Sequence, residues 1–163
     1  MNEMRIPVIE ADLSRSDHQD ATLHLLDAYS RDPMGDGQSL SETARNDVIP
    51  GLMQHPTTLV FLAYRSGEPV GLAVCFRGFS TFAARPLINI SDYFVTPAFR
   101  GAGIGRRLLA AIEHRAQELG CCRLTLEVQE NNQHARRVYS AAGFSQAVHV
   151  AEAGGALFLS KTL

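Results

Sequence analysis

The chain has 163 residues, 45% apolar and 20% charged, which is enough for one domain, residues 1–163, with a substantial core. A formal net charge of −2 leaves no basic footprint of the kind nucleic-acid binding needs, and no apolar run reaches the roughly 18 residues of a membrane span. The start, MNEMRIPVIEADL, lacks the basic segment and apolar run of a secretory leader, and Cys75, Cys121 and Cys122 form an odd set without C-x-x-C spacing, so reduced thiols in a cytoplasmic protein are expected.

Residues 5–10 (RIPVIE) read as a first strand. Ala21, Leu25, Leu26, Ala28 and Tyr29 recur at helical spacing and predict a helix over 17–31. The run DPMGDG, 32–37, breaks it. Ser39 or Ser41 can cap a second helix reaching about Gln54, which Pro50 is expected to kink or end early. TTLVFLAY (57–64) and PVGLAVCF (69–76) are strands joined by the turn Arg65-Ser66-Gly67-Glu68. RGFSTFAAR, 77–85, reads as a strand end plus a loop, with Phe76, Phe79 and Phe82 expected as core. A further strand runs over 87–95.

After that strand comes a Pro-containing turn, TPAF, a glycine-rich loop, RGAGIG, and a helix over about 103–119 with Ile104, Leu108, Ile112, Ala116 and Leu119 on one stripe. Strand, glycine loop and helix N-terminus make an anion site. The first helical N–H groups lack intrahelical partners, the macrodipole is positive there, and glycines admit a phosphate close to the backbone. A Walker A loop is excluded, since no lysine follows any of these glycines and Lys161 is the chain's only one. A G-x-G-x-x-G fingerprint is also excluded: counted from Gly101 it ends on Arg106, and from Gly103 on Leu108. Gly120 suits a left-handed helix cap. Residues 123–128 alternate as a half-buried strand, Asn132 can cap a short helix ending near Ala142, and 144–150 and 156–162 read as two last strands.

The spacing that fits is R-x-x-G-x-G, at Arg100, Gly103 and Gly105. It resembles the pyrophosphate-arm motif of the GNAT superfamily of N-acetyltransferases, which bind acetyl-CoA. A second match follows at the right distance: Asn132, Ala135, Tyr139, Gly143 and Phe144 occupy every fixed position of N-x-x-A-x-x-x-Y-x-x-x-G-F, which is similar to a further GNAT signature. The resemblance implies an α/β fold, a mixed, mostly antiparallel, twisted sheet with helices on both faces. It implies that Arg100, Gly101, Ala102, Gly103, Ile104, Gly105 and Arg106 hold the pyrophosphate, that Phe94 and Val95 offer backbone to the pantetheine arm, and that Asn132 hydrogen-bonds that arm. Tyr139 would lie near the thioester sulfur.

The implied reaction is transfer of the acetyl group of acetyl-CoA to a primary amine by direct attack in a ternary complex. An alkylammonium of pKa about 10.4 is only roughly one part in 10³ deprotonated at pH 7, so a base or a desolvating pocket is needed. The departing thiolate benefits from a proton donor. Tyr139 is the acid that the motif implies. Polyamine-acetylating relatives keep a Glu directly before the Asp of the motif strand, and here that position is Ser91. The base is therefore left open among Asp92, Glu127 on the neighbouring strand and a water chain. Met34 and Asp36, in the loop between the first two helices, and Phe79 and Ser91 are the candidate acceptor-binding residues. Acceptors remain open between a small-molecule amine and a protein amine, and a homodimer is common among relatives. Two rivals stand beside this reading: a non-catalytic CoA-binding sensor and an acyltransferase for longer acyl-CoA. The six histidines show no metal-ligand spacing, so no metal is expected.

Overall fold

The computed structural model describes residues 6–148 and 151–163, and the chain forms two compact units that part between Leu126 and Glu127. The first unit is built on a five-stranded sheet whose spatial order follows the sequence: β1 (Val8–Glu10), β2 (Thr58–Arg65), β3 (Glu68–Ser80), β4 (Arg85–Val95) and β5 (Leu124–Leu126). The first three pairings are antiparallel, and only β4 with β5 is parallel. The sheet is thus the expected mixed, mostly antiparallel one. β1 is shorter than the expected 5–10, whose Arg5 lies outside the described residues.

Alternation along the strands sorts two cores. Val60, Leu62, Leu72, Val74 and Phe94 point to one face, where they bury against Ala21 and Leu25 of α1 (Ser16–Arg31) and Leu52 of α2 (Glu42–Gln54). Gly71, on the opposite face, lies beneath α3 (Ile104–Glu118). A Cβ there would come within 3.0 Å of Ile104 and Leu108 side chains, so the helix packs directly on the strand. Helices therefore cover both faces, as expected.

Ser41 is the cap of α2, its Oγ accepting the Ala44 N–H at 3.1 Å. Pro50 lies inside this helix and does not end it. A proline removes its own N–H, but the His55 N–H reaches the Gly51 carbonyl at 3.0 Å, so helical bonding resumes beyond it. The β2–β3 turn places Ser66 at φ 53° and Gly67 at φ 85°, both positive as a tight two-residue hairpin requires.

The expected strand end plus loop over 77–85 is present, and the strand part is paired along its length. β3 pairs with β4 from Arg77↔Ile88 to Ser80↔Arg85, so these residues are the far end of a long hairpin closed by 81–84. Phe79 and Phe82 are 63% and 93% exposed and are not core; ladder bonds rather than apolar burial hold this tip. β5 is likewise shorter than the expected 123–128, and only three residue pairs join it to β4.

In the second unit, Asn132 caps α4 (Gln133–Ala141), accepting the Ala135 N–H on its Oδ1 at 3.1 Å, and Gly143 follows at φ 91°. The two expected last strands do not form a ladder among the described residues. A single antiparallel bridge joins Val148 to Gly155, with a 3-10 turn at Ala151–Ala153 between them; residues 149 and 150 lie outside the described residues. Leu157, Phe158 and Leu159 are exposed. They have a strand's composition, but among the described residues no strand pairs with them.

Candidate active site

The glycine loop begins where β4 lets go of β3. The Thr96 N–H still bonds to the Val70 carbonyl at 3.0 Å, and then Pro97–Phe99 make one 3-10 turn. Gly101 at φ 81° and Gly103 at φ 78° turn the chain into α3, with Gly103 as the left-handed N-cap. A Cβ at either would meet nothing within 4 Å. Their backbone angles, not crowding, call for glycine, and the space over the loop is open. The N–H groups of Ile104, Gly105 and Arg106 belong to the first turn of a 15-residue helix, so they lack helical acceptors and carry the positive end of the dipole. Ala102 and Arg106 are exposed, whereas the Ile104 side chain is buried under the loop. Gly105 is constrained differently: a Cβ there would collide with Tyr93 Oη of β4.

β4 presents an open edge beside this loop. Its pairing with β5 stops at Ile90↔Leu126, and beyond that point no strand pairs with that edge among the described residues. A bulge coincides with the change, since Ile90 faces Cys75 and Asp92 faces Val74, leaving Ser91 as the extra residue. The Thr96–Val70 bond sets the alternation: Phe94 and Asp92 direct their backbone groups at β3, while Tyr93 and Val95 direct theirs to the open edge. Outward backbone thus comes from Tyr93 and Val95; Phe94 instead puts its ring into the core, 3% exposed. The Val95 carbonyl is engaged already, accepting Arg100 Nε at 3.0 Å.

Arg100 bonds back to protein, although its side chain is 38% exposed. Its Nη2 lies 2.6 Å from Asp32 Oδ2, and its guanidinium sits 5.7 Å from the centre of the Phe94 ring. Asp32, whose side chain is 5% exposed, also accepts the Met34 N–H at 2.9 Å. Burial pushes the Asp32 carboxyl up, but the Met34 amide and the Arg100 guanidinium outweigh it and the net shift is downward. Asp27 pins the other side of the loop. It pairs with Arg31 at 2.6 Å and Arg45 at 2.7 Å and accepts the Leu40 N–H at 3.0 Å. Between these two anchors Met34 is half-buried and Asp36 exposed.

Asp92 points to the face that carries α1. Burial alone holds its carboxyl above the ordinary range. Its field reaches Cys75, pushed up to about 12 first by burial and then by Asp92. It also reaches Tyr29, raised by burial and then by Asp92, Asp32 and Asp36. Tyr29 stacks on Phe94 with ring centres 5.6 Å apart. Ser91 is exposed and donates to Asn89 Oδ1 at 3.2 Å, and Phe79 stands apart at the hairpin end. The structure therefore gathers Asp92, Tyr29, Asp32 and Asp36 electrostatically, and brings Arg100 to Asp32. Spacing marked Tyr29 only as an apolar position of the first helix, and it did not mark Tyr93 at all. An aromatic at the last turn of the first helix, just before a Gly/Asp loop, was the available signal for Tyr29.

In the second unit, Glu127 is exposed. Tyr139 is 7% exposed and its ring lies 5.8 Å from that of Phe144, tilted by 59°. The Asn132 side chain is spent in part on capping, although a carbonyl oxygen has a second lone pair and the amide NH₂ two donors. Among the described residues no group of three or more His, Cys, Asp or Glu could hold a metal ion, and no helix is long and apolar enough to cross a membrane.

Comparison with known proteins bears on the family and the fold. The model of the Acetyltransferase (GNAT) family matches residues 22–144. The uncharacterized N-acetyltransferase YhfO of Bacillus subtilis (strain 168) is 29% identical over 94 residues, 58% of this chain and 63% of that protein. The spermine/spermidine N(1)-acetyltransferase of the same organism is 32% identical over 84 residues, 50% of this chain and 55% of that protein. The aligned part is thus less than two thirds of each relative's own length. A solved structure of AAC(6')-Iy in complex with the bisubstrate analog CoA-S-monomethyl-acetylneamine superposes with a TM-score of 0.74 at 18% identity, covering 98% of this chain and 99% of that one.

Proposed function

This chain belongs to the GNAT acetyltransferase family, and from that membership we propose that it transfers the acetyl group of acetyl-CoA to a primary amine by direct attack in a ternary complex. One observation carries the reading: an open-edged strand runs into a left-handed glycine turn at the positive end of α3. The residues present suit CoA. Free amides and open space at Gly101 and Gly103 accommodate a pyrophosphate, and the outward backbone of Tyr93 and Val95 can pair with an amide-bearing arm. Arg106, exposed in the first turn, adds charge. Bound acetyl-CoA supplies the activated acetyl group.

The chain's own residues then manage protons. Asp92, kept above the ordinary carboxylate range by burial, is the base we assign to the incoming ammonium; a raised carboxyl is a better match to that task at neutral pH. Tyr139 is assigned the proton for the departing sulfur, on the strength of the signature in which it stands. Met34, Asp36 and Ser91 form the acceptor side, with Tyr29 added from the structure. We also propose that residues 1–163 act as one domain, which the family match across 126/127 supports. The carboxylates Asp36 and Asp92, together with the spermine/spermidine activity named for one relative, favour a small cationic amine as acceptor. A screen of polyamines, aminoglycosides, amino acids and peptide N-termini with thiol-release detection tests the proposal. Acetyl transfer to at least one amine is expected. CoA binding with no transfer across the panel would leave a non-catalytic CoA-binding module in its place.

A further inference from the structure

The arginine that opens the R-x-x-G-x-G motif is committed to protein. Its Nη2 holds the buried Asp32 carboxylate at 2.6 Å, its Nε holds the Val95 carbonyl at 3.0 Å, and its plane lies over the Phe94 ring. Each of these partners has a place in the site. Val95 ends the open-edged strand, Arg100 precedes Gly101 directly, and Asp32 begins the loop that carries Met34 and Asp36. Asp32 holds that loop from inside as well. Its Oδ1 accepts the Met34 N–H at 2.9 Å and its main-chain carbonyl accepts the Gly35 N–H at 2.8 Å. Gly35 has no slack, because a Cβ there would collide with the Tyr29 carbonyl.

We propose that Arg100 is a positioning residue and not a phosphate ligand: it clamps the 32–37 loop to the end of β4, so that ordering the glycine loop also orders the acceptor side. The proposal rests on the acetyl-CoA reading above. A guanidinium that holds two different acceptors at once is geometrically specific, and although the Arg100 side chain is 38% exposed, releasing it would strand the buried Asp32 carboxylate. Anion capture at Gly101–Gly105 restrains the backbone on which Arg100 sits, and the Arg100–Asp32 bond passes that restraint to the Met34 and Gly35 amides. Coupling of this kind needs two sites biasing one element, and here the element is a single ion pair.

Hydrogen exchange with and without free CoA, alongside calorimetric titration of CoA, tests the clamp. In the wild-type chain CoA is expected to slow exchange at Met34 and Gly35 by about 5-fold or more, a readout of local opening. Asp32→Asn, whose amide still accepts from Met34, and Arg100→Gln should each abolish that slowing. They should also weaken CoA to a similar extent, and the double variant should lie within about 2-fold of either single one. Arg100→Lys keeps the charge but loses the fork, and should leave the slowing absent. If Arg100→Gln weakens CoA while Asp32→Asn leaves it unchanged or tightens it, Arg100 is a phosphate ligand and the clamp is wrong. If CoA binds the wild-type chain with no change at Met34 and Gly35, the two loops are uncoupled and the clamp is again wrong. That wild-type arm needs no substitution to fold. Absence of any CoA binding by the wild-type chain overturns the acetyl-CoA reading itself, and so is distinct from both.

Discussion

At the scale of single residues, Asp92 carries opposite consequences for stability and for rate. Burial raises its folded pKa above the unfolded value of about 3.9. Between those two values the folded chain binds more protons than the unfolded one, so stability falls as pH rises through the window, and the whole penalty is present above the folded value. Asp92→Asn should therefore raise Tm at pH 7, with the gain shrinking as pH falls through the folded value and gone below about 4, while lowering kcat by roughly 10²-fold if the carboxylate is the base. A Tm decrease at pH 7 would contradict the burial argument; an unchanged kcat would hand the base role to Glu127 or water. Tyr139→Phe should lower kcat by roughly 10²-fold and leave CoA affinity unchanged in calorimetry. A full rate would remove Tyr139 from the acid role. Asp32 has the opposite sign to Asp92. Its net depressed pKa makes it stabilising above the unfolded value, and that contribution is lost as pH falls through the folded value.

At the scale of elements, β4 and α3 share a constraint that the glycine motif alone conceals. Gly101 and Gly103 are set by positive φ, whereas Gly105 has ordinary helical geometry and is set by the Tyr93 hydroxyl beneath it. Gly105→Ala should cost about 1–3 kcal/mol as an overpacking change, despite alanine's better helix propensity. In a Tyr93→Phe background, where the colliding oxygen is gone, the same change should cost measurably less. Denaturant melts of the four chains give this cycle, and equal costs in both backgrounds would show that the contact does not govern Gly105. The helices and the β2–β3 hairpin were legible because their signals are local: apolar spacing at Ala21, Leu25 and Tyr29, the Ser41 cap, and a turn with Gly67. The exposure of the hairpin end was not legible. Phe79 and Phe82 resemble core by composition, yet Phe79 is held by the ladder and Phe82 by the turn that closes it, and both rings stay in solvent. The last segments failed in the opposite sense, since an apolar run such as 156–159 makes a strand only when a partner strand lies alongside.

At the scale of the whole molecule, the glycine loop was legible and the surroundings of the 32–37 loop, the proposed acceptor side, were not. The glycine loop depends on backbone freedom that Gly101 and Gly103 announce directly, and its spacing alone separated it from nucleotide loops. The acceptor side depends on long-range placement: Arg100 meets Asp32 across 68 residues of chain, and Tyr29 comes within the field of Asp92 only once β4 lies beside α1. No spacing rule encodes such pairs. The account nevertheless stands or falls on one claim, that the open edge of β4 and the amides at the start of α3 hold acetyl-CoA. Calorimetric titration of acetyl-CoA into the wild-type chain and into Gly103→Pro, which cannot adopt the left-handed cap, tests it most directly. Binding in the micromolar range by the wild-type chain, reduced at least ~10-fold in the variant with no more than a local loss of stability, is the predicted result. No heat of binding to the wild-type chain at tens of micromolar, or equal affinity in both chains, would contradict it.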